Sequence, residues 1–479
     1  MQIDRMKRKI VHFIGIGGSS MSCIAEFFLK NGCTVTGSDI LKSKNTKRLE
    51  KLGIKIYYKH EKYNVQKSDC IIFSNAISKK NPEFLFAKIK NIPIFSRSEI
   101  LSKIIKSNCS ILVSGTHGKT TTVSMIIKIY QFSGLQPTFF CVEKEKYSNK
   151  KINIGKKDYF ISEIDESDNC LHLFSAKIIV VTNIENEHIN SYGSLKKLEL
   201  SFLNFLNKNS DYGYAIICID NPILFRMKPM IKKKVITYGF VEKADFRIIK
   251  YQQKENFCNF FIVEKNKKFS KIHLSIPGKH NALNATASFI VAKINNISEK
   301  KIQKSIKKFV GVYRRFEILG IYDFKNYSST IKKIMIIDDY GHHPNEIKYT
   351  IDTIKNGWPK RRIVMIFQPH RYTRMKNLYF QFLNTLLEVD YLIILNTFSA
   401  WEKKIENYSG YFFYKKIRKI KKEVIFVNKN RKIEKILRII LLDKDIILIQ
   451  GAGDVSEIIK KIIKKKFFLK SSKNKSSKI

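Results

Sequence analysis

Short runs of apolar residues recur along the whole chain, among them "IVHFI", "CIIF", "ILVS", "IIVV", "YAIICI", "IMII", "IVMIF", "YLIIL" and "IILIQ". Because they lack polar alternation, such runs predict strands covered on both faces. Between many of them lie amphipathic stretches such as "RSEILSKIIKSN" and "EIIKKIIKKKF", whose spacing predicts helices. Strand and helix patterns alternate from start to finish, so the expected class is α/β, with doubly wound layers. No repeat of solenoid length is visible.

The 479 residues, at roughly 150 per domain, imply about three domains. A new strand and a glycine-rich turn begin at Cys109, directly after "NIPIFSRSEILSKIIKSN", which bounds a first domain at 1–108. The stretch "ADFRIIKYQQKENFCNFFIVEKNKKFSKIHLSI" alternates in character and predicts antiparallel hairpins within a second domain, 109–316. "GVYRRFEILG" then leads into a third, 317–479.

Composition narrows the class further. No stretch of about 18 uncharged apolar residues occurs, and the basic start "MQIDRMKRKIVHF" has no small-residue cleavage site, so a soluble cytoplasmic protein without membrane insertion is expected. The cysteines form no CxxC pair, which points to buried reduced thiols rather than a disulfide frame or zinc knuckle. The formal net charge of +48 would fit nucleic-acid binding, but the lysines run through every segment beside Ile, Asn, Phe and Tyr instead of gathering on a motif. No specific nucleic-acid role is expected. The one concentrated basic block, "KKIIKKKFFLKSSKNKSSKI", reads as a frayed tail after a last helix.

Two glycine-rich turns carry candidate chemistry. In "VHFIGIGGSSMSCIAE", Gly15, Gly17 and Gly18 follow a strand, yet Ser20 stands where a dinucleotide-binding fingerprint has its third glycine, which disfavours a nicotinamide cofactor. In "VSGTHGKTTT", Gly115, Gly118, Lys119 and Thr120 match the end of a P-loop in which Val113 replaces the first glycine. There Lys119 would contact β and γ phosphates and the Thr120 hydroxyl would hold Mg²⁺. "YFISEIDESDNCLHL" offers Glu163, Asp165, Glu166 and Asp168 at a strand end as further metal ligands, and "IIVVTNIENEHINSYG" offers Glu187 and His188. In the third domain "IDDYGHHPNEI" and "MIFQPHRYTRM" place His, Asp and Arg after strands, where open α/β sheets bind ligands. Adjacent His342 and His343 diverge in an extended segment and lack a third ligand at a standard spacing, so they fit positioning better than zinc.

Taken in order, "HFIGIGGSSMS", "GTHGKTTT", "SEIDESD", "TNIENEHINSYG", "PGKHNALNATA", "GVYRRFE", "DDYGHHPNEI", "FQPHRYTR" and "IQGAGD" resemble the Mur ligases of peptidoglycan synthesis over nearly the whole chain. The resemblance implies an N-terminal Rossmann-like domain for a UDP-sugar, a central P-loop ATPase domain, and a C-terminal Rossmann-like domain that closes over both. It implies an ATP- and Mg²⁺-dependent amide ligase acting on UDP-N-acetylmuramate and L-alanine through an acyl phosphate, as a monomer or a homodimer. By the same resemblance Gly15, Gly17, Gly18 and Ser19 would cradle the diphosphate, with Asp39 near the uridine. Gly115, Thr116, His117, Gly118, Lys119, Thr120, Thr121, Asn281 and Asp339 would contact ATP, and Thr120, Glu163 and His188 would bind the metal. Lys119, Arg315 and His188 would be catalytic, and His370, Arg371 and Arg374 would face the substrates.

This chain departs from the family pattern at Ser20, Cys23, Ile164 and Glu187, which touches loop geometry more than charge-bearing groups. Two other readings compete. A relative that recycles tripeptides onto UDP-N-acetylmuramate would share both loops but differ in the "FQPHRYTR" segment. A nucleic-acid-dependent P-loop NTPase would account for the charge but should carry an RNP-like or helicase-type string, and none is present.

Overall fold

The computed structural model describes residues 7–105, 109–141, 152–155, 159–187, 189–208, 212–265, 268–325, 331–400, 402–430, 432–463 and 468–470. Three sheets organise them. The first holds β1 (Ile10–Ile14), β2 (Thr34–Ser38), β3 (Lys55–Tyr57), β4 (Cys70–Phe73) and β5 (Ile94–Ser96), linked by α1 (Ser19–Lys30), α2 (Lys44–Lys51) and α3 (Pro82–Ile89) and followed by α4 (Arg97–Ile104). Its order β3-β2-β1-β4-β5 is parallel throughout, so the chain reverses direction across the sheet at β1.

The second sheet begins with β6 (Cys109–Ser114), α5 (Lys119–Phe132), β7 (Thr138–Phe140), β8 (Ile152–Asn153), β9 (Tyr159–Glu163) and β10 (Ile178–Val181). It continues through α6 (Ile189–Tyr192), α7 (Leu195–Asn207), β11 (Tyr214–Cys218), α8 (Pro222–Met227) and β12 (Lys234–Gly239). β13 (Phe246–Lys254), β14 (Phe257–Glu264) and β15 (Phe269–Leu274) complete it, and α9 (Lys279–Ile294) and α10 (Glu299–Lys307) follow. The order is β15-β14-β13-β12-β11-β10-β6-β9-β7-β8. β9 lies on one side of β6 and β10 on the other, both parallel to it, which makes the carboxyl end of β6 a topological switch point. β13 enters parallel to β12 and turns into β14 within two residues, a connection that only an antiparallel pair can have.

The third sheet is built from β16 (Glu317–Lys325), β17 (Ile331–Asp339), α11 (Pro344–Gly357), β18 (Ile363–Phe367), α12 (Tyr372–Asn377), α13 (Tyr379–Leu386) and β19 (Tyr391–Leu395). It ends with α14 (Gly410–Arg418), β20 (Val424–Val427), α15 (Lys432–Ile440), β21 (Ile446–Gln450), α16 (Val455–Ile463) and β22 (Phe468–Lys470). Its order is β20-β19-β18-β21-β17-β16-β22. The strands from β20 to β17 are parallel, whereas β16 runs antiparallel to both β17 and β22. The tail expected to fray after its last helix therefore returns as an edge strand over Phe468–Lys470. Backbone pairing to the free edge of β16 outweighs the basic composition there.

Alternate residues of the apolar runs feed two cores. Met335, Ile337, Ile363, Met365, Leu392 and Ile394 pack beneath α11, α13 and α14, while Ile334, Ile336, Val364, Ile366, Ile393 and Leu395 pack beneath α15 and α16. Burial on both faces is what an uninterrupted apolar strand signifies. By contacts the chain divides into two compact units: residues through Tyr251 with Asn259–Leu274 and Asn281–Phe309, and Gln252–Cys258 with Ser275–His280 and residues from Val310 onward. Every cysteine is free and all but Cys109 are buried. Among the described residues no helix is long and apolar enough to cross a membrane.

Beneath the first sheet's glycine turn lies a buried polar cluster. Glu83, fully buried in the first turn of α3, accepts hydrogen bonds from Ser38 Oγ at 2.6 Å and Asn64 Nδ2 at 2.6 Å and meets His60 Nδ1 at 2.9 Å, with His12 Nε2 at 3.6 Å. Burial alone would raise its pKa, but these partners stabilise the carboxylate and bring it from 4.5 down to about 2. A depressed carboxylate pKa contributes stability that is complete above the unfolded value and fades as pH falls from about 4.5 towards 2. Glu83→Gln is accordingly expected to lose on the order of 3 kcal/mol at neutral pH. In urea unfolding at several pH values its deficit against wild type should shrink across that acidic window, and a deficit independent of pH would contradict the assignment.

Candidate active site

At the carboxyl end of β6 the backbone has no room for a side chain at two positions. Gly115 has φ +126° and a Cβ there would lie 2.8 Å from the Asn183 carbonyl oxygen, and Gly118 has φ +82° with its Cβ position 2.6 Å from Asn284 Oδ1. The turn between them is strapped to the segment after β10. Thr116 N donates to Asn183 O at 3.0 Å, His117 N to Asn183 Oδ1 at 2.8 Å, Thr182 Oγ1 to His117 O at 2.6 Å, and Glu185 N to Thr116 Oγ1 at 2.9 Å. α5 starts at Lys119 without a side-chain cap or an acidic residue in its first turn, which leaves the positive end of its dipole at the turn. Such an end suits an anion.

Lys119 Nζ donates to Gly115 O at 2.6 Å, Thr116 O at 3.2 Å and both Glu166 oxygens, the nearer at 2.9 Å. Burial would lower the lysine's pKa, but Glu166 and then Asp165 outweigh it and hold the ammonium charged. Burial pushes the Glu166 carboxyl from 4.5 up to about 7 despite the lysine. Thr120 Oγ1 donates to Glu163 Oε2 at 2.8 Å, and this hydroxyl–carboxylate pair supplies the hard oxygen donors that a magnesium ion prefers. Parallel pairing sets Glu163 opposite Val113, two residues before the turn. Thr121 is buried, and Asn281, also buried, accepts from Asn284 Nδ2 at 3.4 Å, whose own Oδ1 takes the Thr122 hydroxyl at 3.1 Å. Tyr192 Oη donates to Glu166 O at 2.6 Å. His188 and the Asp168 side chain lie outside the described residues.

The first turn closes on β2. Gly15 N and Ile16 N both donate to Ser38 O, Asn45 Nδ2 donates to Gly17 O, and Gly17 N donates to Asp39 Oδ2 at 2.8 Å. The other Asp39 oxygen accepts from Leu41 N at 3.0 Å, so this carboxylate braces the glycine turn with one oxygen and its own loop with the other. Gly18 precedes α1 and Ser19 opens it.

In the unit from Val310 onward, β21 lies between β17 and β18 and brings three strand ends together. Asp339, buried at one of them, accepts from Phe316 N, Gly341 N and Gln450 Nε2, each at 2.8 Å, while burial raises its pKa. It knits the strand ends. Arg314 and Arg315 both lie against the Tyr340 ring, 5.0 and 4.8 Å from its centroid, and Arg315 Nη1 is 3.4 Å from Glu346 Oε1. His343 caps α11 through its ring, and the His342 backbone N donates to Glu346. His370 stacks on Phe398 at 5.5 Å, and burial, then Arg374 and Arg371, lowers its pKa to about 4. Arg374 Nη1 lies 3.1 Å from His370 Nδ1. Because an arginine only donates, the neutral ring carries its proton on Nε2. Arg371 Nε donates to Glu402 Oε1 at 2.8 Å. Asn183, Asn284 and Tyr340 lie within the quoted motifs but carried no role there, and Glu402 lies in none of them, since each acts on a residue far away along the chain.

Three domain families match successive stretches: "Mur ligase family, catalytic domain" over residues 10–108, "Mur ligase middle domain" over 113–292 and "Mur ligase, glutamate ligase domain" over 314–453. A protein named UDP-N-acetylmuramate--L-alanine ligase, from Buchnera aphidicola subsp. Baizongia pistaciae, is 46% identical over 97% of this chain and 96% of its own length. The crystal structure of UDP-N-acetylmuramate-alanine ligase from Thermotoga maritima superposes with a TM-score of 0.79 at 26% identity, over 95% of this chain and 98% of that one. A murein peptide ligase from Psychrobacter arcticus shares the fold at a TM-score of 0.68 and 19% identity, over 95% and 98% of the two chains.

Removing the Asn183 side chain strips the His117 N–H of its acceptor. Asn183→Ala is expected to cost about 1–3 kcal/mol of stability and to weaken binding of a fluorescent adenine nucleotide. A melting curve and a titration check this, and wild-type affinity in the variant would mean that the strap does not shape the turn.

Proposed function

The chain belongs to the Mur ligase family, and from that premise we propose that it joins L-alanine to the lactyl carboxyl of UDP-N-acetylmuramate, converting ATP to ADP and phosphate. One observation carries the choice of amino acid: identity close to one half, over nearly the whole chain, with a protein named for L-alanine. We assign 1–108 to the sugar nucleotide, 109–316 to ATP and 317–479 to the amino acid, and we place the reaction in the cytoplasm.

A carboxylate is a poor electrophile, so one of its oxygens first attacks the γ-phosphorus of ATP and ADP departs. The resulting acyl phosphate is attacked at carbon by the neutral amine of L-alanine, and the tetrahedral intermediate collapses to the amide as phosphate leaves with the proton that the nitrogen loses. Lys119, held charged at the turn by Glu166, is set to spread the charge of the transferring phosphoryl group. The amino end of α5, placed by the Gly115–Gly118 turn, supplies N–H groups to the phosphates. Thr120 and Glu163, already paired, fit a magnesium ion, which would offset phosphate charge when bound. Arg371 takes the alanine carboxylate and Arg315 an oxygen of the phosphate, since a guanidinium offers paired N–H donors to carboxylate and phosphate oxygens. The dispersed lysines give no support to a nucleic-acid substrate.

Lys119→Ala should reduce ligation by at least about 10²-fold, the scale for one donor to developing charge. UDP-N-acetylmuramate should still bind the variant by calorimetry, because its turn lies on another sheet. Joint loss of both in a folded variant would sink the two-site assignment.

With UDP-N-acetylmuramate, ATP and Mg²⁺, the protein should release ADP fastest with L-alanine. Glycine should be disfavoured by roughly 1–3 kcal/mol, the discrimination one methyl allows. D-Glutamate and the L-Ala-γ-D-Glu-diaminopimelate tripeptide should give almost none. Strong turnover with the tripeptide and none with L-alanine would transfer the chain to the recycling branch.

A further inference from the structure

The loop after β19 grips the loop after β18. Phe398 N donates to Pro369 O at 2.8 Å, Arg371 N donates to Phe398 O at 2.9 Å, and the Phe398 ring stacks on His370 at an interplanar angle of 9°. Between these contacts Arg371 adopts φ +68° and ψ 129°, a conformation that a residue with a Cβ holds only under external constraint. One carboxylate holds the side chains of this segment. Glu402 Oε1 accepts from Arg371 Nε at 2.8 Å and from Thr373 Oγ1 at 2.6 Å, and Oε2 accepts from Thr373 N at 3.0 Å. Glu402 is 15% exposed while Arg371 is 43% exposed, and among the described residues the two terminal nitrogens of Arg371 have no partner.

We propose that Glu402 is a positioning residue for the amino-acid substrate, fixing Arg371 through Nε so that the outer edge of its guanidinium meets the substrate carboxylate two-pronged. The proposal rests on the alanine-ligase reading given above. Using Nε alone leaves the Nη1–Nη2 edge, whose parallel N–H groups match the spacing of carboxylate oxygens. A pre-oriented arginine loses less freedom on binding than a loose one. Removing Glu402 therefore weakens capture of the amino acid and leaves the acyl phosphate chemistry alone.

Full-length protein with Glu402→Gln is expected to raise the KM for L-alanine roughly tenfold, with kcat and the KM values for ATP and UDP-N-acetylmuramate little changed. In an Arg371→Ala chain the same change should add nothing, because its effect passes through that arginine. Glu402→Asp, which keeps the charge, should fall between wild type and Glu402→Gln and serves if the amide variant does not fold. Thr373→Val, which removes one of the three contacts but not the arginine's, should leave the KM for L-alanine near wild type. Equal KM effects of Glu402→Gln with and without Arg371, no effect of either Glu402 variant, or a Thr373→Val effect as large as that of Glu402→Gln would each overturn the proposal. If wild type prefers another amine, the functional reading fails separately, and the same KM comparisons made with that amine still decide the role of Glu402.

Discussion

The turn from Gly115 to Gly118 closes only because two of its positions carry no Cβ. Absence of a side chain at 115 lets the backbone approach the Thr182–Asn183 segment, and absence at 118 lets it approach Asn284 of α9. Those approaches make the strap of hydrogen bonds from β10 possible, and the strap fixes where α5 begins. Lys119 and Thr120 then face Glu166 and Glu163 at the end of β9. A buried ammonium needs a compensating anion, and Glu166 supplies it within the protein. From the turn outward, each placement follows from the one before.

Much of this was legible along the chain because it is local. An apolar strand buried on both faces, followed by glycine and then an amphipathic helix, announces itself within twenty or so residues. Each of the nine apolar runs does lie in a strand, apart from the last residue of "YAIICI". What the pattern concealed is pairwise and distant. β16 and β22 gain their places from antiparallel edges on β17 and β16, and neither carries an uninterrupted apolar run that would mark it. Glu83 looks like an ordinary acidic residue in a helix's first turn, yet the packing of β1, β2 and α3 surrounds it with His12, Ser38, His60 and Asn64.

The same distinction explains two carboxylates read from the sequence as ligand contacts. Asp39 and Asp339 each end a strand, where open sheets gather functional groups. Both accept backbone N–H groups in the structure, Asp39 from Gly17 and Leu41 and Asp339 from Phe316 and Gly341. Strand ends need such acceptors as much as ligands need donors, and periodicity cannot separate the two uses. Two of the four departures from the family pattern lie in packed positions. Cys23 is buried within α1, and Ile164 lends its backbone to the sheet, donating to Val113 O and accepting from Ser114 Oγ, while its side chain is buried. A substitution there alters packing without removing a charged group.

Within each unit, charged donors are held by carboxylates before any anion arrives: Lys119 by Glu166 in the first, Arg371 by Glu402 and Arg315 by Glu346 in the second. A free lysine or arginine would have to surrender rotamer freedom as it met its anion. A paired one has already done so, and it keeps bonding directions to spare, as Arg371 does at its terminal nitrogens. The cost is competition, because the internal carboxylate must share its partner with the incoming charge. Exposure decides how severe that competition is. Glu402 touches an arginine that is nearly half exposed and binds it at Nε only, so sharing needs no rupture. Glu166 is buried against its lysine with both oxygens engaged, and burial raises its pKa, which lowers the cost of giving up its negative charge when a phosphate takes its place beside the lysine. The two carboxylates thus solve one problem, keeping a cation ready for an anion, in ways set by how much water each can reach.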